Sequence, residues 1–214
     1  MYEPEHYLRE QTGEPEKYYG KYPGLVVDNR PPANADHRGE LVVDVPGILE
    51  ESPDGEGRQP LRVTARPCFP PGFFFIPEQG AQIWVEFVAG DINSPVWTGV
   101  WYPNDATPRT HDDEAPTEFQ KIIRTATGHL IQIDDSDGAE MLIIKHKSGT
   151  VIELKEDETI SISCNETISI SCKSLTISAD EGVTIEGDLN VEGDLIVSND
   201  TNSTTISGNE IRGG

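Results

Sequence analysis

The octapeptide ETISISCN at residues 158–165 is followed at once by ETISISCK at 166–173, identical at seven of eight positions. After a shift of phase through SLTISADEG, the spacing contracts to EGDLNV (186–191) and EGDLIV (192–197). Repeats of six or eight residues with alternating apolar and polar positions read as short β-strands stacked in a solenoid. Strands this short, with Ile, Val and Leu on one side only, are not stable alone. A single-chain β-helix needs longer coils with several strands and corners per turn, and six to eight residues would enclose only a very narrow tube. Three chains wound about one axis remove the difficulty, each giving one strand per rung. This arrangement predicts an inward stripe of Ile160, Ile162, Ile168, Ile170, Val183, Ile185, Leu189, Val191, Leu195 and Val197. Ser, Glu and Asp then face water, and closure around the axis limits exposed sheet edges.

Upstream of the repeat, HLIQID, MLIIKH and TVIELK are alternating segments that also offer one apolar face each. A different pattern holds from Tyr22 to Tyr102. There YPGLVVDN, GELVVDV, LRVTARPC, QIWVEFVA and PVWTGVWY alternate with stretches rich in Gly, Pro and Asp. Five strands in about 80 residues predict a small antiparallel barrel, with room for no more than a short helix. The stretch PNDATPRTHDDEAPTEFQ has three prolines and almost no apolar residue, so it reads as a linker. The expected organisation is an arm at 1–21, a barrel at 22–102, a linker at 103–120 and a trimeric β-helix at 121–214.

Charge narrows the partners. The 214 residues carry 16 Lys and Arg against 38 Asp and Glu, a net charge of −22, and no basic patch is concentrated anywhere. Nucleic acid and anionic headgroups are therefore poor partners. No apolar run approaches the roughly 20 residues of a bilayer span, and MYEPEHYLRE lacks the basic and apolar regions of a signal peptide. The expectation is a soluble chain assembled in the cytoplasm. Cys68, Cys164 and Cys172 are an odd number, too few for a disulfide framework, which suits a reducing compartment.

The order of features in GFFFIPEQGAQIWVEFVAGDINSPVWTGVWY (72–102) is specific: an aromatic run, Pro-x-x-Gly, x-Val-x-Phe, Gly-Asp, then Pro-Val-x-x-Gly. With YGKYPGLVVDN, ARPC and KIIRTATGHLIQIDDSDGAEMLIIKHKSGTVIEL (121–154), it resembles the baseplate assembly protein V and VgrG family over about residues 19–210. These proteins form the central spike of contractile phage tails and related injection machines. The resemblance implies an all-β chain: an N-terminal OB-like antiparallel barrel followed by a C-terminal intertwined triple-stranded β-helix, as a homotrimer. It also marks Gly90, Asp91, Pro95, Val96 and Gly99 as family-motif positions of the barrel. The barrel's partner in the family is protein, and Phe73, Phe74 and Phe75 are candidate contacts with the baseplate hub or between protomers. Relative to better-known members there is no muramidase-sized domain and no His-x-His apex, the last histidine being His146. Only about 20 residues precede the barrel, so a separate hub protein is expected at the N-terminal end and a separate PAAR-like protein at the tip.

Candidate chemical sites weigh less than this. With 38 carboxylates, groups such as Asp112, Asp113 and Glu114 arise by accident and make poor catalytic dyads. The DDSDG turn at 134–138 lacks the spacing and terminal Glu of a Ca²⁺ loop and reads as a solvated turn. No His/Cys cluster has zinc spacing. Cys164 and Cys172 would stack in adjacent rungs, where small apolar fillers are a better reading than a metal or disulfide site. Trp84, Trp97 and Trp101 could stack bases in an OB-fold, but that mode wants a basic groove, so most of these rings read as core. No catalytic residue, metal or cofactor is expected. The function that follows is a non-enzymatic spike that joins hub to tip and transmits contraction force through the target cell envelope. The rival from another class is a carbohydrate-binding or adhesive β-solenoid.

Overall fold

The computed structural model describes residues 16–30, 36–55 and 57–197, and the chain divides into two compact units, 1–168 and 169–214. Most of the N-terminal arm and the chain after Val197 lie outside the described residues. The five β-rich runs become β1 (Tyr22–Asp28), β2 (Leu41–Glu51), β3 (Arg58–Pro67), β4 (Gln82–Phe87) and β5 (Pro95–Val100). They close into a barrel in the order β1-β2-β3-β5-β4, with β4 paired back onto β1. Every pairing is antiparallel except that of β3 with β5, where Arg66 and Pro67 face Val96 and Trp97.

Period-2 alternation drives this closure. β2 turns Leu41, Val43 and Val45 inward and β4 turns Ile83, Val85 and Phe87 inward, while the residues between them stay partly exposed. β1 passes so close that a Cβ on the buried Gly24 would stand 2.7 Å from Val43 Cγ1 and 2.8 Å from Val85 Cγ2. Trp97 caps the core: its indole N–H donates to Gly39 O at 2.9 Å, and Phe69 packs edge-on to its ring at 5.0 Å. A buried indole needs such an acceptor.

Beyond the barrel, β6 (Gln120–Arg124), β7 (Leu130–Asp134), β8 (Met141–Lys145), β9 (Val151–Lys155) and β10 (Ile160–Ser163) form an open sheet in strand order, each antiparallel to the last. The segment expected to open the β-helix is instead an open intrachain meander, because its turns close locally. The Thr125 N–H donates to His129 O across one turn and the His146 N–H to Thr150 O across another. Gly128 and Gly149 take the left-handed φ (+98° and +99°) those turns require.

The octapeptide repeat straddles the limit of this order. Its first copy supplies β10, whereas its second copy enters no ladder among the described residues. In the second unit, residues 169–197 form no strand or helix and bend at 173, 180–181, 187 and 192–193. Among the described residues this part makes no backbone hydrogen bond.

Candidate assembly surfaces

The family-motif positions build a tight corner of the barrel. Gly90 has φ +74°, and a Cβ there would meet the Tyr19 ring at 3.1 Å. Its carbonyl accepts from the Tyr18 N–H at 2.9 Å, and the Tyr18 ring lies 5.9 Å from Phe87. The described end of the arm therefore packs on its own barrel. Asp91 Oδ1 accepts from the Asn93 N–H at 3.0 Å, and that backbone bond leads the interactions holding its carboxyl below the usual range. Pro95 starts β5 opposite Phe87, Val96 pairs with Glu86, and Gly99 stands opposite Trp84. These positions hold the β4–β5 connection in shape.

Phe73, Phe74 and Phe75 project from the β3–β4 loop, each more than half exposed. Phe74 contacts Phe69 at 5.8 Å and His37 at 5.7 Å, and Phe73 contacts Phe75 at 5.9 Å. Phe74 and Phe75 also line an open cleft of about 720 Å³ whose other walls include Tyr102, Pro108 and Ile123. Among the tryptophans only Trp97 is fully buried; Trp84 and Trp101 pair at 5.9 Å on the half-exposed side.

The sheet β6–β10 leaves its more apolar face bare. Cross-strand register places Ile123, Ile131, Ile144, Ile152 and Ile162 in one row on one face. Lys121, Ile133, Leu142, Leu154 and Ile160 form the row beside it. This face is apolar at every position but Lys121, yet most of it is exposed. The opposite face is mixed: Gln132, Asp134, Glu153, Arg124 and Lys145 share it with Leu130 and Ile143, and there Gln132 is 0 %, Ile143 2 %, Leu130 3 % and Asp134 7 % exposed.

Residues 109–114, within the stretch expected as a linker, lie over that mixed face. Gln132 Oε1 accepts from the His111 N–H at 2.8 Å, and Lys145 Nζ donates to His111 O at 3.1 Å. Arg124 donates to the carbonyls of Arg109 (3.2 Å) and Thr110 (2.8 Å) and pairs with the Asp113 carboxylate at 2.7 Å. The strap is pinned by three polar side chains from the sheet. Sequence alternation missed them because LIQID reads equally well with its isoleucines inside. The first aspartate of DDSDG is likewise no solvated residue. Burial pushes the Asp134 pKa up, but bonds from Ser136 (Oγ at 2.6 Å, N–H at 3.0 Å), Gln120 and Gln132 outweigh it and hold the carboxyl below its ordinary value.

Residues 22–102 match the family model of the type VI secretion system/phage-baseplate injector OB domain. The matched region begins at the first residue of β1 and ends just past β5, so the barrel resembles an injector OB domain over its whole extent, and the match covers less than half of the chain. A comparison with curated proteins finds no match to the chain.

The ten positions of the expected β-helix stripe, Ile160, Ile162, Ile168, Ile170, Val183, Ile185, Leu189, Val191, Leu195 and Val197, are all exposed in the single chain, from 43 % at Val191 to 68 % at Ile160. Cys164 and Cys172 are free thiols, and no three His, Cys, Asp or Glu side chains among the described residues converge on a metal-sized site.

Proposed function

We propose that the chain is the homotrimeric central spike of a contractile phage tail or related injection system. A general role in a baseplate or tail injection apparatus is supported by the injector OB family of residues 22–102. The observation that carries the finer reading is the bare apolar face of the sheet. An antiparallel sheet normally buries its apolar face and wets the other; here the chain's own strap occupies the mixed face and leaves two rows of Ile and Leu uncovered. Contiguous exposed apolar surface of this kind marks an interface. The segments after β10 have the same need. Residues 169–197 show no backbone partner among the described residues, and obligatory donors and acceptors left so pair with another chain or with water.

Two further copies supply both needs, burying the stripe from Ile160 to Val197 along a common axis at about 1.5–3 kcal/mol per fully buried side chain. In this reading the barrels form a collar beneath a separate hub protein, and the Phe73–Phe75 loop contacts the hub or a neighbouring protomer. The β-helix carries contraction force toward a separate PAAR-like tip and the target envelope. Stiffness rather than chemistry does the work, because bending would break many backbone bonds and expose apolar core together. The particle is assembled in the cytoplasm of the producing cell.

Light scattering coupled to size-exclusion chromatography tests this at micromolar concentration: a three-chain mass is expected, and a stable monomer would remove the spike. Ile168→Asp buries a carboxylate at the axis in the trimer and is expected to abolish the three-chain peak. Unchanged assembly would show that this face is not the interior.

A further inference from the structure

The meander has two lateral edges of opposite character. One edge holds the β6–β7 and β8–β9 turns; residues 124–130 (RTATGHL) and 145–151 (KHKSGTV) contain no carboxylate in a chain of net charge −22. On this edge the His129 and His146 rings meet at 4.4 Å, beside Lys147. The other edge holds the β7–β8 turn (DDSDGAE, 134–140) and the β9–β10 turn (EDET, 156–159). Asp134 there is buried and hydrogen-bonded and Asp135 pairs with Lys121, leaving Asp137, Glu140, Glu156, Asp157 and Glu158 exposed and in no ion pair among the described residues, with only Asp157 near enough to Lys155 to feel its charge.

The levels of these turns also alternate. Along the strand order the basic-edge turns lie between β6 and β7 and between β8 and β9; the acidic-edge turns lie between β7 and β8 and between β9 and β10. Adjacent strands are about 4.8 Å apart, so each turn of one edge is level with a gap in the other. A closed three-fold ring is built from a heterologous contact, in which one edge of each copy meets the opposite edge of the next. That is the contact needed to shut the apolar face described above.

We infer that in the assembled trimer the His129–His146–Lys147 edge of each copy interdigitates with the acidic turns 135–140 and 156–159 of the next. This inference rests on the trimeric reading of the spike. It names a second copy as the occupant because two edges of one chain are complementary in both charge and level. Lys147 supplies the positive charge and the imidazoles supply N–H donors. The contact also offsets part of the mutual repulsion of three chains at −22 each.

The test uses the full chain. Lys147→Glu is expected to leave a three-chain mass but to lower the thermal midpoint by roughly 2–4 °C at about 20 mM salt, with the loss shrinking at about 0.5 M salt. Adding Glu156→Lys to Lys147→Glu should restore the midpoint, and should do so more than adding Glu51→Lys, the same charge change on the exposed end of β2 in the barrel. Equal rescue by the two, or no effect of Lys147→Glu at low salt on a protein that is trimeric, overturns the edge contact and leaves the spike standing. A monomeric wild-type chain overturns the spike first.

Discussion

Gly24 shows how one position can carry the close approach of three strands. In the sequence, Gly24 lies inside the β-rich run YPGLVVDN with nothing to mark its role. In the structure Gly24 lies within β1, and its missing side chain is what lets β1 approach Val43 on β2 and Val85 on β4. The neighbouring methyls belong to stiff β-branched side chains that cannot swing away. Gly24→Ala is therefore expected to destabilise the barrel by about 1–3 kcal/mol, read as an earlier denaturation midpoint in the fluorescence of the buried Trp97. Gly90 was legible as a motif position, because a Gly-Asp before Pro-Val is a local signal. Its reason, a positive φ with Tyr19 packed over it, was not.

At the scale of elements, the strands were largely readable and their faces were not. HLIQID, MLIIKH, TVIELK and the first TISIS correspond to β7, β8, β9 and β10. Alternation reports that a strand has two faces and leaves open which of them the chain will cover itself. Asp134 ties three parts of this sheet together, accepting from Gln120 on β6, Gln132 on β7 and Ser136 in the following turn. Its pKa lies below the unfolded value, so its contribution is complete above the ordinary carboxylate range and is lost as pH falls through the lower folded value. Wild-type stability should therefore decline on acidification below about pH 4. Asp134→Asn should cost about 1–3 kcal/mol at pH 7 and show a flatter acid limb, the gap between the two proteins narrowing as pH falls through the lower folded value. Urea midpoints across pH 3–7 measure both effects, and a constant gap between the two proteins would show that the carboxylate is not the linked group.

For the whole molecule, stability and assembly are one quantity if the apolar face and the repeat are closed by other copies. Anything that binds the folded chain raises its apparent stability by mass action. The unfolding midpoint should therefore rise with protein concentration, whereas a chain stable as a monomer would show none of this dependence; calorimetry over a hundredfold range of concentration distinguishes them. The amino-acid sequence by itself determined the strands, the five-stranded barrel and the repeating apolar positions, because period-2 alternation and turn chemistry act between residues a few positions apart. Only the tertiary structure decided which side of β6–β10 is left bare. That choice is made by Arg124, Gln132 and Lys145 reaching the strap across separations of 14, 21 and 34 residues, and bonds of that range leave no periodic trace in a sequence.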